Sequence, residues 1–499
     1  MTPRTTKRQT AKLVTLVFCF VVIPLLLLAL ALSRPATAET PKHYTDLTFS
    51  EPPEIKLPDY ARFQLANGLV VYLMEDHELP LVGGTALIRT GDRLEPAEEV
   101  GLAAITGSVM RSGGTQKHVA DQINEFLEQR AAAIETGIGQ VSGSASFSAL
   151  TEDLNPVFSL FAEVLREPAF PQDKIDLAKT QVRGSIARRN DDPNAIASRE
   201  FRKLVYGDTS PYARAVEYAT IANITRPDLV QFHQKYFQPN NLILGIVGDF
   251  DSQAMRKLIE AKFDNWQASN RSTSTQPPAA KQANLSGVFL VNQPQLTQSS
   301  VQIGHLGGQI NSPDYPALSV MNEVLNGFGG RLFNEVRSRQ GLAYSVYGTW
   351  SPQFDYPGVF VAGGQTRSDA TVPFVNSILA EIARIRTTPI SETELAYAKD
   401  SVLNSFIFNF QDPGQTLSRL LRYEYFGYPS DFIFRYQKGV VATTIADVQR
   451  VAQTYLQPNQ LVTLVVGNAD TIQPPLSKLD PQGKVTAIDI TIPTPPQQS

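Results

Sequence analysis

Cysteine is all but missing from this 499-residue chain. The only one, Cys19, lies in an apolar N-terminal run. Beyond that run the chain has no disulfide, no thiolate nucleophile and no cysteine metal site. Histidine is scarce as well. The five are His43, His77, His118, His233 and His305, and no two stand three or four residues apart. No helical face can therefore offer two neighbouring imidazoles to one ion, and each reads as a surface or capping His. The formal charge of −4 argues against a nucleic-acid partner, which would need a basic footprint. Other catalytic patterns are weak. Ser142, in the stretch GQVSG (139–143), lacks the glycine spacing of a nucleophile elbow. Asp191-Asp192 precedes Pro193 and reads as a helix terminator.

The N-terminus is more informative. Arg4, Lys7, Arg8 and Lys12 precede an apolar run over 13–32, and Ala36-Thr37-Ala38 follows. That order is the pattern of a signal peptide over 1–38. It predicts an exported protein, in the periplasm or a comparable lumen. If uncleaved, residues 13–32 would be its membrane anchor. Residues 39–58 are proline-rich and read as an extended lead-in.

Asn67-Gly68 between apolar runs predicts a hairpin. Strands are expected over 82–89 and 141–150, and helices over 95–109, 117–133, 155–166, 173–190 and 194–204. A repeat then becomes visible. TRPDLVQFHQKYFQPNNLILGIVGDFD (225–251) aligns without a gap on TIADVQRVAQTYLQPNQLVTLVVGNAD (444–470), at an offset of 219 residues. Thr225/Thr444, Asp228/Asp447, Pro239/Pro458 and Gly248/Gly467 are among the matches. Each copy reads as a capped helix, a proline turn and an apolar strand. The chain is therefore two related halves, 59–267 and 287–470, joined by a linker over 268–286. The tail, 471–499, is proline-rich and expected to have little order.

In the second half, strands are expected over 288–292, 299–304 and 358–363, and helices over 315–325, 372–386 and 391–408. Ser391 and Glu394 form a capping box. Residues 326–348, NGFGGRLFNEVRSRQGLAYSVYG, give a glycine turn, a short helix stopping at Gln340-Gly341, and a strand over 342–347.

This stretch resembles the C-terminal-half signature of the pitrilysin/insulinase-type metallopeptidases, processing-peptidase branch. The resemblance runs from about Phe63 to Asp470. It implies an α+β fold of two homologous lobes, each a mostly antiparallel sheet with helices on one face. It further implies that Arg337 and Tyr344 hold the substrate peptide. Arg337 would donate to a backbone carbonyl, and Tyr344 would place its hydroxyl near the developing oxyanion.

The family's other half carries H-x-x-E-H on a helix, two zinc ligands and a general base. The matching positions here are Ala104, Gly107 and Ser108. The third-ligand position falls at Gly184-Ser185, which has no carboxylate. A methyl group, a hydrogen and one hydroxyl do not bind zinc. The chain alone is thus expected to hold no metal or cofactor and to contain no complete catalytic site. The resemblance implies the Arg/Tyr subunit of a heterodimeric zinc endopeptidase for unfolded peptides. The zinc would come from a separate subunit of the same family, or the partner would be a second copy of this chain. The alternative is an inactive peptide-binding or scaffold protein of the same fold.

Overall fold

The computed structural model describes residues 57–268, 276–410 and 412–494. The signal-peptide reading over 1–38 and most of the lead-in lie outside them. Among the described residues no helix is long and apolar enough to cross a membrane.

In the first half the strands are β1 (Ala61–Gln64), β2 (Val70–Glu75), β3 (Leu81–Ile88), β4 (Ala133–Ile138), β5 (Gly143–Leu150) and β6 (Leu242–Gly248). Four helices carry the argument here: α1 (Leu102–Ser112), α2 (Gln172–Ala187), α3 (Pro193–Tyr206) and α4 (Arg226–Tyr236). The sheet order is β1-β2-β6-β3-β5-β4. Only β2 and β6 run parallel, and the other pairs are antiparallel. The sequence explains their places. β2 (VVYLME) and β6 (LILGIVG) are almost continuously apolar, and both sit inside the sheet with two covered faces. β5 (GSASFSAL) alternates and buries one face. The hairpin at Asn67-Gly68 joins β1 to β2 as expected. β4 was not expected, because the amphipathic pattern over 117–133 runs up to its start. The helix there spans only Ala120–Glu128.

The second half repeats the plan. β7 (Gly287–Asn292), β8 (Gln298–Leu306), β9 (Ala343–Ser351), β10 (Val359–Arg367), β11 (Val462–Gly467) and β12 (Val485–Ala487) order as β12-β7-β11-β8-β10-β9. The helices to follow are α5 (Tyr315–Asn326), α6 (Glu392–Phe406), α7 (Pro413–Phe426) and α8 (Ile445–Tyr455). The repeated segments are α4 with β6 and α8 with β11. Asp228 and Asp447 each accept from the Thr backbone N–H at the cap of their helix. The tail is better ordered than its composition suggested. Ile472 and Leu476 enter the second core, and β12 adds to the open edge of β7. Apolar residues spaced between the prolines make this possible.

Helices cover one face of each sheet, as expected. The opposite face of each is partly covered by a helix from the other half. Leu417, Leu420 and Leu421 of α7 pack on Val70, Tyr72, Met74 and Ile243 of the first sheet. Ile196, Phe201, Leu204 and Val205 of α3 pack on Val462, Leu464 and Val466 of the second. α3 and α7 are counterparts. Each begins Asp-Pro, with Asp192 or Asp412 capping through its carboxylate. Gly245 makes room for the exchange: a Cβ there would stand 2.6 Å from a Leu421 methyl. Ion pairs add to it. Arg93, buried, donates twice to Asp355 at 3.0 and 2.7 Å, and Arg62 meets Glu424 at 2.7 Å. Leu421→Ala is expected to cost about 3 kcal/mol through the cavity left against Gly245. Urea unfolding measures it, and a cost below about 1 kcal/mol would mean that α7 contributes little to the first sheet.

Candidate functional site

The glycine turn begins where α5 ends, with Gly327 donating to the Glu323 carbonyl at 2.7 Å. Gly329 takes φ 90°, a conformation that disfavours side chains. The Tyr397 hydroxyl donates to the Phe328 carbonyl, and Asn334 Nδ2 donates to that of Gly329. Arg331 is buried and makes a two-point contact with Glu394 at 2.7 and 3.3 Å. Burial alone would raise the Glu394 carboxyl. Arg331 and the Ser391 N–H and hydroxyl outweigh it and bring Glu394 down to about 2. The capping box at Ser391 is thus formed, and Glu394 ties α6 to the start of the short helix after the glycine turn.

That helix widens. Phe333–Arg339 is π-helical, with the Gln340 N–H reaching back to the Glu335 carbonyl at 3.1 Å. Such wide turns are rare and concentrate at functional sites. Gly341 at φ 63° turns the chain into β9, the edge strand of its sheet. Arg337 and Tyr344 are thereby brought together. The guanidinium carbon stands 4.9 Å from the Tyr344 ring centroid and 4.7 Å from that of Phe333. Arg337 is half-buried between two rings, and no described carboxylate is paired with it. Tyr344 is 85% exposed. Phe333 was missed in the sequence. Its position four residues before Arg337, on one helical face, was the available signal. Phe328, 82% exposed, lies tilted against Phe333 with ring centroids 5.3 Å apart and extends the row across the turn.

The three degenerate positions all lie on α1. Ala104 and Ser108 are exposed on one face, and Gly107 is buried against β4. A Cβ on Gly107 would stand 2.5 Å from the Ile138 nitrogen and 2.8 Å from the Gly137 carbonyl carbon. The Thr136 hydroxyl donates to the Gly107 carbonyl at 2.6 Å. The helix is closed down on the strand through the missing side chain. Gly184 and Ser185 are exposed on α2 and offer no carboxylate. These residues do not fit zinc. Among the described residues no group of three or more His, Cys, Asp or Glu could hold an ion.

The histidines differ from their surface reading in two cases. His233 and His305 are buried. His233 stacks on Phe237 at 4.7 Å and donates from Nε2 to the Leu165 carbonyl, and burial pushes it down to about 4. Glu95, also buried, caps α1 by accepting from the Gly101 and Ala103 N–H groups, and burial pushes it up to about 7. The two have opposite linkage. His233 takes its proton only in the unfolded chain between about pH 6.5 and 4, so its contribution falls as pH falls through that window. Glu95 keeps its proton in the folded chain up to about pH 7, so its contribution falls as pH rises from about 4.5. Glu95→Gln is therefore expected to make stability rise with pH between about 4.5 and 6.5, relative to the parent. His233→Gln is expected to make it fall. Each slope approaches about 1.4 kcal/mol per pH unit. Thermal melts across the window measure both, and parallel curves would contradict the assignment.

Residues 71–212 match the family model "Insulinase (Peptidase family M16)", and 223–402 match "Peptidase M16 inactive domain". A Bacillus subtilis (strain 168) protein named "Uncharacterized zinc protease YmxG" is 22% identical over 360 residues, 72% of this chain and 86% of that one. A Helicobacter pylori (strain ATCC 700392 / 26695) protein named "Non-peptidase homolog YmxG" is 24% identical over 401 residues, 79% and 90%. The crystal structure of a peptidase M16 inactive domain from Pseudomonas fluorescens superposes with TM-score 0.72 at 24% identity, covering 82% of this chain and 98% of that one.

Proposed function

We propose, from the premise that this chain belongs to the pitrilysin/insulinase-type peptidase family, that it is the non-catalytic, substrate-binding subunit of a two-chain zinc endopeptidase. One observation carries the reading: Arg337 stands ready between Phe333 and Tyr344, with no described carboxylate paired to it, while Gly107 closes α1 on β4. Half of a site is built, and the other half lacks zinc-ligating side chains and packs its Gly107 against β4. Arg337 donates to a carbonyl of an extended, unfolded peptide, its planar fork suiting two acceptors. Tyr344 offers its hydroxyl to the oxygen that gains charge as the peptide bond is attacked. The metal belongs to a partner of the same family, and no step on this chain passes through it. The basic, apolar and Ala-x-Ala order over 1–38 puts the pair in an exported compartment.

A second reading has its own support. The "inactive domain" description and the "Non-peptidase homolog" name of a relative fit a peptide-binding or scaffold protein that takes part in no cleavage. Mixing separates the two. This chain, purified alone and then combined with a zinc-bearing family member from the same cell, is assayed on an unfolded peptide. Cleavage by the mixture and by neither chain alone supports the subunit reading. A stable complex that never cleaves supports the scaffold, and the absence of any complex removes the heterodimer.

A further inference from the structure

The second half holds a cavity that the corner does not use. It measures about 830 Å³ and lies between α5, α6, α7 and the helix Phe432–Ala442. That volume is within the range of roughly 300–1,000 Å³ typical of small-ligand sites. The corresponding place in the first half, at α1 and α3, holds only about 350 Å³, with Tyr212 among its walls.

The chemistry of the walls is specific. α7 turns its leucines to the first sheet, and its other face lines the cavity with Gln415, Ser418, Arg419 and Arg422. Neither arginine meets a carboxylate among the described residues. Arg422 is exposed, with its guanidinium 5.8 Å from the Phe354 centroid. Arg419 donates to Asn409 Oδ1, and its buried Nε has no partner among the described residues. The two acids at the wall are already engaged. Asp412 caps α7 through the Gln415 N–H at 2.9 Å, and Glu323 accepts from the Ser401 hydroxyl at 2.7 Å. The remaining surface is aromatic. Tyr315 and Tyr436 stack at 4.9 Å, and Phe354 and Trp350 face the same space. The Trp350 indole N–H, on a residue only 7% exposed, has no partner among the described residues.

Two guanidinium groups with no carboxylate partner among the described residues, beside aromatic rings, suit one ligand chemistry: a carboxylate next to a bulky apolar group. We propose that this cavity is a second binding site, which takes the C-terminal end of a short apolar peptide. Arg419 and Arg422 hold the terminal carboxylate, with the charge-assisted geometry guanidinium groups prefer. The rings of Tyr315, Trp350, Phe354 and Tyr436 surround the last side chain. The site holds whether or not the corner at Arg337 grips a substrate, because it lies on a different set of elements and is read on the isolated chain.

The chain has two tryptophans, Trp266 and Trp350. Trp266→Phe leaves Trp350 as the only indole reporter. The probe is the tripeptide Leu-Ala-Phe, with a free C-terminus and as its amide. The free acid is expected to shift Trp350 emission and to bind about tenfold or more tightly than the amide. Arg422→Ala, at an exposed side chain without a hydrogen-bond partner among the described residues, is expected to weaken the free acid to the level of the amide. Calorimetry on the chain with both tryptophans repeats the comparison should Trp266→Phe fail to fold. Equal binding of acid and amide overturns the proposal. So does an unchanged affinity in Arg422→Ala, or no binding of the free acid at about 10 mM. Acetate producing the same shift at the same concentration would mean a simple anion site and would also overturn it.

Discussion

Installing the family's zinc motif through Ala104→His, Gly107→Glu and Ser108→His is expected to unfold the first half rather than load it with metal. Ala104 and Ser108 face solvent and tolerate larger side chains. Gly107 does not. Its missing Cβ lets the helix backbone approach β4 until a carbon there would stand 2.5 Å from the Ile138 nitrogen. The obstacle is backbone, so no rotamer change relieves it. Separating α1 from β4 would also break the Thr136 bond to the Gly107 carbonyl and open the core around Ile105 and Ile134. A cost of about 3 kcal/mol or more is expected, at the upper end of what overpacking a core does. The double variant Ala104→His/Ser108→His keeps Gly107 and is expected to unfold like the parent. Its zinc binding should be weak, since two imidazoles on one helix leave a tetrahedral ion short of ligands. Urea unfolding and metal analysis report on the two effects separately. A triple variant with parental stability and one tightly held zinc would show that the site was merely stripped of ligands, not closed.

Tyr344→Phe is expected to lower cleavage by the assembled pair by about 10²- to 10³-fold, mostly in kcat, the usual loss for one oxyanion donor. The same change should leave the isolated chain's stability within about 0.5 kcal/mol, because the ring is 85% exposed. Arg337→Ala is expected to act chiefly through KM, since a carbonyl contact is made in ground and transition states alike. Arg337→Lys should not rescue it. A lysine has no planar fork and loses the stacking on Phe333 and Tyr344. Phe333→Ala tests positioning: it removes one ring of the cradle and should raise KM with a smaller effect on kcat. Full activity in both Tyr344→Phe and Arg337→Ala would remove the corner from the mechanism.

Much of this was readable in one dimension. The matched segments at 225–251 and 444–470 announced two related halves. Strict periodicity placed α4, α8, β6 and β11, because cap, turn and apolar strand are each specified by neighbours a few residues apart. Local signals also located the glycine turn, the capping box at Ser391 and the strand bearing Tyr344. Other features left no such trace. β4 (AIETGI) is short and follows an amphipathic helix, so its pattern was absorbed into that helix. The order in the tail depends on an open edge of β7 that only the assembled sheet provides. His233 and His305 are buried by strands and helices far away in the chain, and a lone imidazole carries no sign of that.

By itself, then, the amino-acid order determined the duplication, the loss of zinc-binding chemistry at 104, 107 and 108, and the candidacy of Arg337 and Tyr344. The duplication rests on matched side chains at fixed spacing, and the readings at 104, 107, 108, 337 and 344 rest on the resemblance of those stretches to the family's motifs. Only the tertiary structure decided that Gly107 is sealed against β4 and that Arg337 lies between two rings. It also decided that α3 and α7 each cover the other half's sheet. Those outcomes depend on which surfaces meet after the chain has folded back on itself, across separations that no local pattern encodes.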